Sequence, residues 1–135
     1  MPTDIAPTPN IVPFLRYEDA PAAIDWLVRA FGFEKVTLIE GEGGSIEHAV
    51  LRLGSGMIMV SSLRGNAPAS RARPDMCDGL YVVINDPDAR FDRAKAAGAE
   101  IVMGLTDQDY GSREFMLRDP EGVIWSFGTY RPGSH

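Results

Sequence analysis

Gly32 and Gly98 lie 66 residues apart (98 − 32), and the same offset joins Glu34 to Glu100, Leu51-Arg52 to Leu117-Arg118, Gly56 to Gly122 and Ile58 to Ile124. One spacing that relates a helix stop, a strand and a turn is the signature of a duplicated unit. Ahead of the helix stop the offset becomes 67, pairing Asp19 with Asp86. Such a chain is expected to fold as two copies of one small unit.

Each copy spells the same order. Ile11–Tyr17 is a short apolar run of strand type. Ala23, Trp26, Leu27, Ala30 and Phe31 recur at helical spacing, Pro21 suits a first helical turn, and Gly32 is a stop. Phe33–Glu40 is strand-like. Gly41-Glu42-Gly43-Gly44 is a flexible turn that lacks the Lys-Ser/Thr of a phosphate loop. Ile46–Leu53 and Met57–Leu63 form a hairpin around Gly54-Ser55-Gly56.

In the second copy Leu80–Ile84 predicts a strand and Asp86-Pro87-Asp88 an acidic helix start. Ala89–Ala97 is a helix ended by Gly98, and Glu100–Leu105 is a strand. Asp109–Tyr130 supplies the last two strands, joined by Asp119-Pro120-Glu121-Gly122. The expected fold is α+β: two tandem βαβββ modules, residues 11–63 and 79–130, whose curved mixed sheets surround a groove. Residues 1–10 and 131–135 read as tails, and the polar, Pro-containing segment 64–78 as a linker.

A length of 135 residues allows one domain with a sizeable core. The net charge of −6 leaves no basic stripe to neutralise phosphates, which argues against a nucleic-acid partner. An acidic surface favours solubility and is compatible with cationic small molecules. Cys77 is the single cysteine, so no internal disulfide forms, and it reads as a small semi-buried hydrophobe. The first residues lack a signal-peptide pattern and no apolar run reaches membrane-spanning length, so the expected location is the cytoplasm, with no membrane partner.

Strand alternation sorts the side chains by face. Ala49, Leu51 and Leu53 are uniformly apolar and belong beneath a helix, which turns His48, Val50 and Arg52 to the opposite face. On the equivalent strand Phe115 and Leu117 go beneath the helix and Glu114, Met116 and Arg118 go opposite. The closing strands are expected to give Met57, Met59, Trp125 and Phe127 to the core, and Ile58, Val60, Ile124, Ser126 and Gly128 to the second face. That face mixes apolar and polar residues, as a ligand wall or a subunit interface does.

Val12–Phe33, "VPFLRYEDAPAAIDWLVRAFGF", and Tyr110–Tyr130, "YGSREFMLRDPEGVIWSFGTY", carry a family likeness. The chain resembles the vicinal oxygen chelate superfamily of glyoxalase I, bleomycin-resistance proteins and extradiol dioxygenases. The second segment is similar to the closing hairpin of bleomycin-resistance proteins. The likeness implies paired βαβββ modules, a small-molecule ligand and a homodimer. It also implies that enzymes of the family hold a divalent metal at four positions, which fall here on Val12, Val60, Gly79 and Ser126. None of these offers an imidazole or carboxylate, so no metal and no cofactor are expected.

Two readings stay open. In the first, a metal-free groove sequesters a small molecule, as bleomycin-resistance proteins do; its expected wall is Phe14, Arg16, His48, Val50, Arg52, Val60, Tyr81, Tyr110, Glu114, Met116, Arg118 and Ser126. In the second, an atypical metal, or His48 and Glu114 as an acid–base pair, supports a lyase, isomerase or dioxygenase. Arg52 and Arg118 suit a guest with an anionic or carbonyl group, or form salt bridges to Glu114. Whether the protein is an enzyme is left undecided by the sequence.

Overall fold

The structure, a computed structural model, describes Pro9, residues 11–63 and residues 79–132. The remaining tail residues, the linker expected at 64–78 and its Cys77 lie outside the described residues.

After a short strand β1 (Phe14–Tyr17), Asp19 starts α1 (Ala20–Phe31) by accepting the Ala22 N–H at 3.1 Å, and Pro21 occupies the first turn. Gly32 ends the helix in a left-handed conformation, φ 87°, with its N–H on the Val28 carbonyl. The apolar stripe of α1 is buried from Ala23 to Phe31. β2 (Glu34–Glu40), β3 (Ile46–Leu53) and β4 (Gly56–Ser62) follow. The same order returns as β5 (Gly79–Val83), α2 (Pro87–Ala96), β6 (Glu100–Asp107), β7 (Arg113–Arg118) and β8 (Ile124–Gly128).

The strands form two four-stranded mixed sheets of identical topology, β1-β4-β3-β2 and β5-β8-β7-β6. In each, the first and last strands of the copy run parallel and the other pairs antiparallel. The fold is α+β, two four-stranded mixed sheets with two helices, in agreement with tandem βαβββ modules. The described residues separate into two compact units, one containing residues 11–28 and 32–63, the other residues 29–31 and 79–132.

The duplication extends to ion pairs. Arg52 lies 3.6 Å from Glu34 across β3 and β2, and Arg118 lies 3.4 Å from Glu100 across β7 and β6. Both pairs join cross-strand neighbours. Arg118 is thus committed to Glu100, not to Glu114.

One expected face is corrected. Val60 is fully buried, as is its neighbour on the same face, Ile58, whereas Met57 and Met59 are half-buried. The register explains it: Leu51 pairs with Ile58 and Ala49 with Val60, placing all four on the buried face. In the second unit Leu117 pairs with Trp125 and Phe115 with Phe127. The first hairpin turns on Gly54-Ser55, between the paired Leu53 and Gly56, and the second on residues 119–123, between Arg118 and Ile124. That difference shifts the offset between closing strands to 67, and a one-residue shift exchanges the faces of every side chain. Met57 and Met59 therefore share a face with Val50 and Arg52.

The second unit has the more aromatic core. The rings of Phe115 and Phe127 stack at 4.9 Å, and Phe31 stands 5.0 Å from Trp125 and 4.9 Å from Phe127. Arg90 and Arg93 of α2 donate to the carbonyls of Phe31 and Arg29, at 2.9 and 3.1 Å, satisfying acceptors that the end of α1 leaves open. The β7–β8 turn is organised by Asp119, 4% exposed, whose carboxylate accepts from the N–H groups of Glu121 and Val123 and from Trp125 Nε1.

Candidate functional site

On the second sheet the face opposite the aromatic core carries Tyr81, Glu114, Met116, Ser126 and Gly128, as alternation along β5, β7 and β8 requires. Register brings them together: Ser126 is the neighbour of both Tyr81 and Met116, and Glu114 is the neighbour of Gly128. The absence of a side chain at residue 128 is what admits the others. A Cβ there would lie 2.5 Å from Glu114 Cγ and closer still to the Tyr81 hydroxyl.

The turn between β6 and β7 completes the arrangement. Gln108 donates its N–H to the Ser112 carbonyl at 2.7 Å, and Gly111 takes a left-handed conformation, φ 87°. Only glycine adopts that conformation without strain, and it sets Tyr110 and Ser112 on either side of a tight reversal. Both then reach Glu114. Its carboxylate accepts from Tyr110 Oη at 2.6 Å, Tyr81 Oη at 2.9 Å and Ser112 Oγ at 2.9 Å. The Tyr130 N–H in turn donates to Ser112 Oγ at 3.0 Å and Tyr81 Oη at 3.2 Å.

Glu114 is 8% exposed, and no Lys, Arg or His nitrogen lies within 4.0 Å of its carboxylate among the described residues. Arg113, next in sequence, bridges Asp88 at 2.8 Å and Asp107 at 2.9 Å instead. Burial pushes the Glu114 carboxyl up, but the hydrogen bonds from Tyr110, Tyr81 and Ser112 outweigh it and hold the group below 4.5. The result is an anion at neutral pH, buried and, among the described residues, stabilised by neutral donors. The hydrogen bond to Glu114 also raises Tyr110 to about 12. Tyr81 is raised by burial and by the same carboxylate.

Above this network lies a cavity of about 430 Å³. Its lining contains five of the expected wall residues, Tyr81, Tyr110, Glu114, Met116 and Ser126, together with Met103, Phe115 and Tyr130. The tyrosine rings stand steeply to one another: Tyr81 and Tyr130 are 6.5 Å apart at 72°, Tyr110 and Tyr130 5.9 Å apart at 78°. Rings in this relation form the sides of a box, not a stack.

The other expected wall residues do not line this cavity. In the first unit Phe14 and Arg16 are exposed on β1, with the Arg16 guanidinium 5.0 Å over the Phe14 ring. His48, Val50 and Arg52 are half-buried on β3, Arg52 beside Glu34. Val60 is buried on the other face, and Arg118 is held by Glu100.

Ser112 and Tyr130 were missed by the sequence reading although alternation points to both. Residue 112 is two before Glu114, and residue 130 is two after Gly128, so each continues a face already identified. Met103 is less accessible to such reasoning, because register shifts flank its pairing with Met116.

The residues present do not fit a resident divalent metal of the kind the family resemblance implies. Val60 is turned into the core, Gly79 has no side chain, and Ser126 offers only a hydroxyl. Among the described residues, no three His, Cys, Asp or Glu side chains are grouped to hold a metal. No described helix is long and apolar enough to cross a membrane.

Comparison with known proteins supplies the relatives. The fosfomycin resistance protein FosX from Mesorhizobium loti is 15% identical and superposes with a TM-score of 0.65 over 90% of this chain and 91% of its own, a likeness of fold. TioX from Micromonospora sp. ML1 is 38% identical, with a TM-score of 0.75, over 90% of this chain and 98% of its own. The uncharacterized protein Mb0911c of Mycobacterium bovis is 32% identical over 134 residues, 89% of this chain and 82% of its own length. The family model of the glyoxalase/bleomycin resistance protein/dioxygenase superfamily matches residues 10–127, and with the duplicated βαβββ architecture this places the chain in that superfamily.

Proposed function

We propose that this protein binds a small, largely apolar molecule in the tyrosine-lined cavity of its second unit and acts by sequestration, without a resident metal. The observation that carries this reading is the cavity of about 430 Å³ whose lining combines aromatic and thioether side chains with one buried carboxylate. Such a mix of apolar wall and few polar groups is the usual composition of a ligand site. A carboxylate already holding three hydroxyl donors is a weak base, which counts against the alternative acid–base pair of Glu114 and His48.

Ligand-observed NMR with neutral, cationic and anionic aromatic compounds tests the reading. At least one class is expected to bind, and Tyr130→Ala to weaken that binding by about fivefold through loss of one aromatic wall. A panel without a binder, or binding indifferent to Tyr130→Ala, would overturn it. A stoichiometric divalent metal in the isolated protein that is lost in His48→Ala would overturn the metal-free part.

The protein acts in the cytoplasm as a homodimer. The support for pairing is β2, an edge strand with Val36, Leu38 and Ile39 each 43–50% exposed, an apolar edge that a second copy would cover. Light scattering at micromolar concentration is expected to give twice the mass of the chain; the mass of one chain would count against the dimer.

A further inference from the structure

The chemistry of the cavity floor narrows the guest. Glu114 brings a negative charge with no cationic partner among the described residues. A buried anion of this kind attracts a cation strongly, because little water screens it. Yet hydroxyl donors already occupy most of the carboxylate's hydrogen-bonding capacity. Of its about four lone-pair sites, Oε1 gives one to Tyr110, and Oε2 gives two, to Tyr81 and Ser112.

Charge with few free acceptors discriminates between kinds of cation. A primary ammonium or a guanidinium carries three to five N–H donors, and each left unpaired on entering the cavity carries a desolvation penalty. A fully N-alkylated ammonium has no N–H to satisfy. It needs a nearby negative charge and aromatic faces, and the three tyrosine rings surrounding the site are of that type. Met103 and Met116 add polarizable surface for its alkyl or aryl portion. The Ser126 hydroxyl, which has no hydrogen bond among the described residues, serves a single polar group on the same guest.

We infer that the cavity selects a free, fully N-alkylated organic cation, a quaternary ammonium on an aromatic or aliphatic body, and that Glu114 selects it by charge and not by accepting its hydrogen bonds. This rests on the reading of the cavity as a small-molecule site, and goes beyond it by naming the guest's chemistry.

The test is a pair of probes that differ in one atom. Benzyltrimethylammonium and neopentylbenzene have the same shape, the first with a cationic nitrogen where the second has a carbon. Binding of each to the full chain is followed by the NMR shifts of the tyrosine and methionine side chains, with benzylammonium as a third probe. The expected result is that benzyltrimethylammonium binds about tenfold more tightly than either of the others. Glu114→Gln, of the same size, is expected to abolish that preference. Tyr110→Phe keeps the ring but frees Oε1 of Glu114, so it is expected to keep the preference over neopentylbenzene and to narrow the preference over benzylammonium, which keeps the test informative if Glu114→Gln folds poorly.

Equal binding of the ammonium and its carbon isostere overturns the inference while leaving a small-molecule cavity in place. Tighter binding of benzylammonium overturns it too, since the carboxylate would then be accepting N–H donors. Binding of none of the three at millimolar concentration likewise overturns it, and the broader reading then stands or falls on the mixed panel of compounds and its Tyr130→Ala control.

Discussion

Replacing Asp119 by alanine is expected to lower the unfolding free energy by about 3 kcal/mol, because the lost hydrogen bonds are to a buried carboxylate. Three donors depend on this one side chain: the N–H groups of Glu121 and Val123, both at 3.0 Å, and Trp125 Nε1 at 3.1 Å. The first two close the turn that sets the pairing of Arg118 with Ile124. The third fixes the indole of Trp125, 1% exposed, whose ring meets Phe31. Alanine leaves a buried indole N–H without its partner, and that penalty exceeds the net worth of an ordinary hydrogen bond. Urea unfolding should show a lower midpoint at an unchanged slope. A loss below about 1 kcal/mol would mean that the turn is held by its backbone bonds alone.

The second large effect is spectroscopic. Tyr110 is raised to about 12 chiefly by its hydrogen bond to Glu114, so Glu114→Gln should return it towards the ordinary value of 10.0. An ultraviolet titration of the phenolates, with Tyr110→Phe to assign the band, measures this directly. A Tyr110 that already titrates near 10.0 in the wild type would sink the proposed network.

The same variant alters the acid limb of stability. Glu114 is held below 4.5 in the folded state, so its stabilising contribution is present above 4.5 and is lost as pH falls through the lower, folded value. Glu114→Gln should show less acid dependence across that window. On the alkaline side the raised Tyr81 and Tyr110 act in the opposite sense. Their contribution is present below 10.0 and is lost as pH rises through their folded values, about 12 for Tyr110.

Much of the architecture was legible in the chain because it rests on short-range rules. The helix start at Asp19-Pro21, the stop at Gly32, the turn at Gly122 and the alternation of Phe115 and Leu117 with Glu114 and Met116 each follow from local backbone preference or from period. The 66-residue offset then predicted the second copy from the first. Where the reading failed, it carried that offset across a hairpin. Val60 was placed on the ligand face, but the two turns differ in length, and a single residue of slip put it in the core.

The composition of the site was partly legible, and its electrostatics were not. Alternation placed Glu114, Met116 and Ser126 on one face, and by the same rule would have included Ser112 and Tyr130; Tyr81 was among the expected wall residues. That Arg118 pairs with Glu100, that Glu114 has hydroxyls and, among the described residues, no cation around it, and that Gly128 makes the space for this, are properties of register. By itself the sequence determined two βαβββ copies and the face of most strand residues, because side-chain direction repeats with the backbone every two residues or every turn. Only the tertiary structure decided which charges meet, because that depends on which strands lie side by side and in what register, over separations that no local preference encodes.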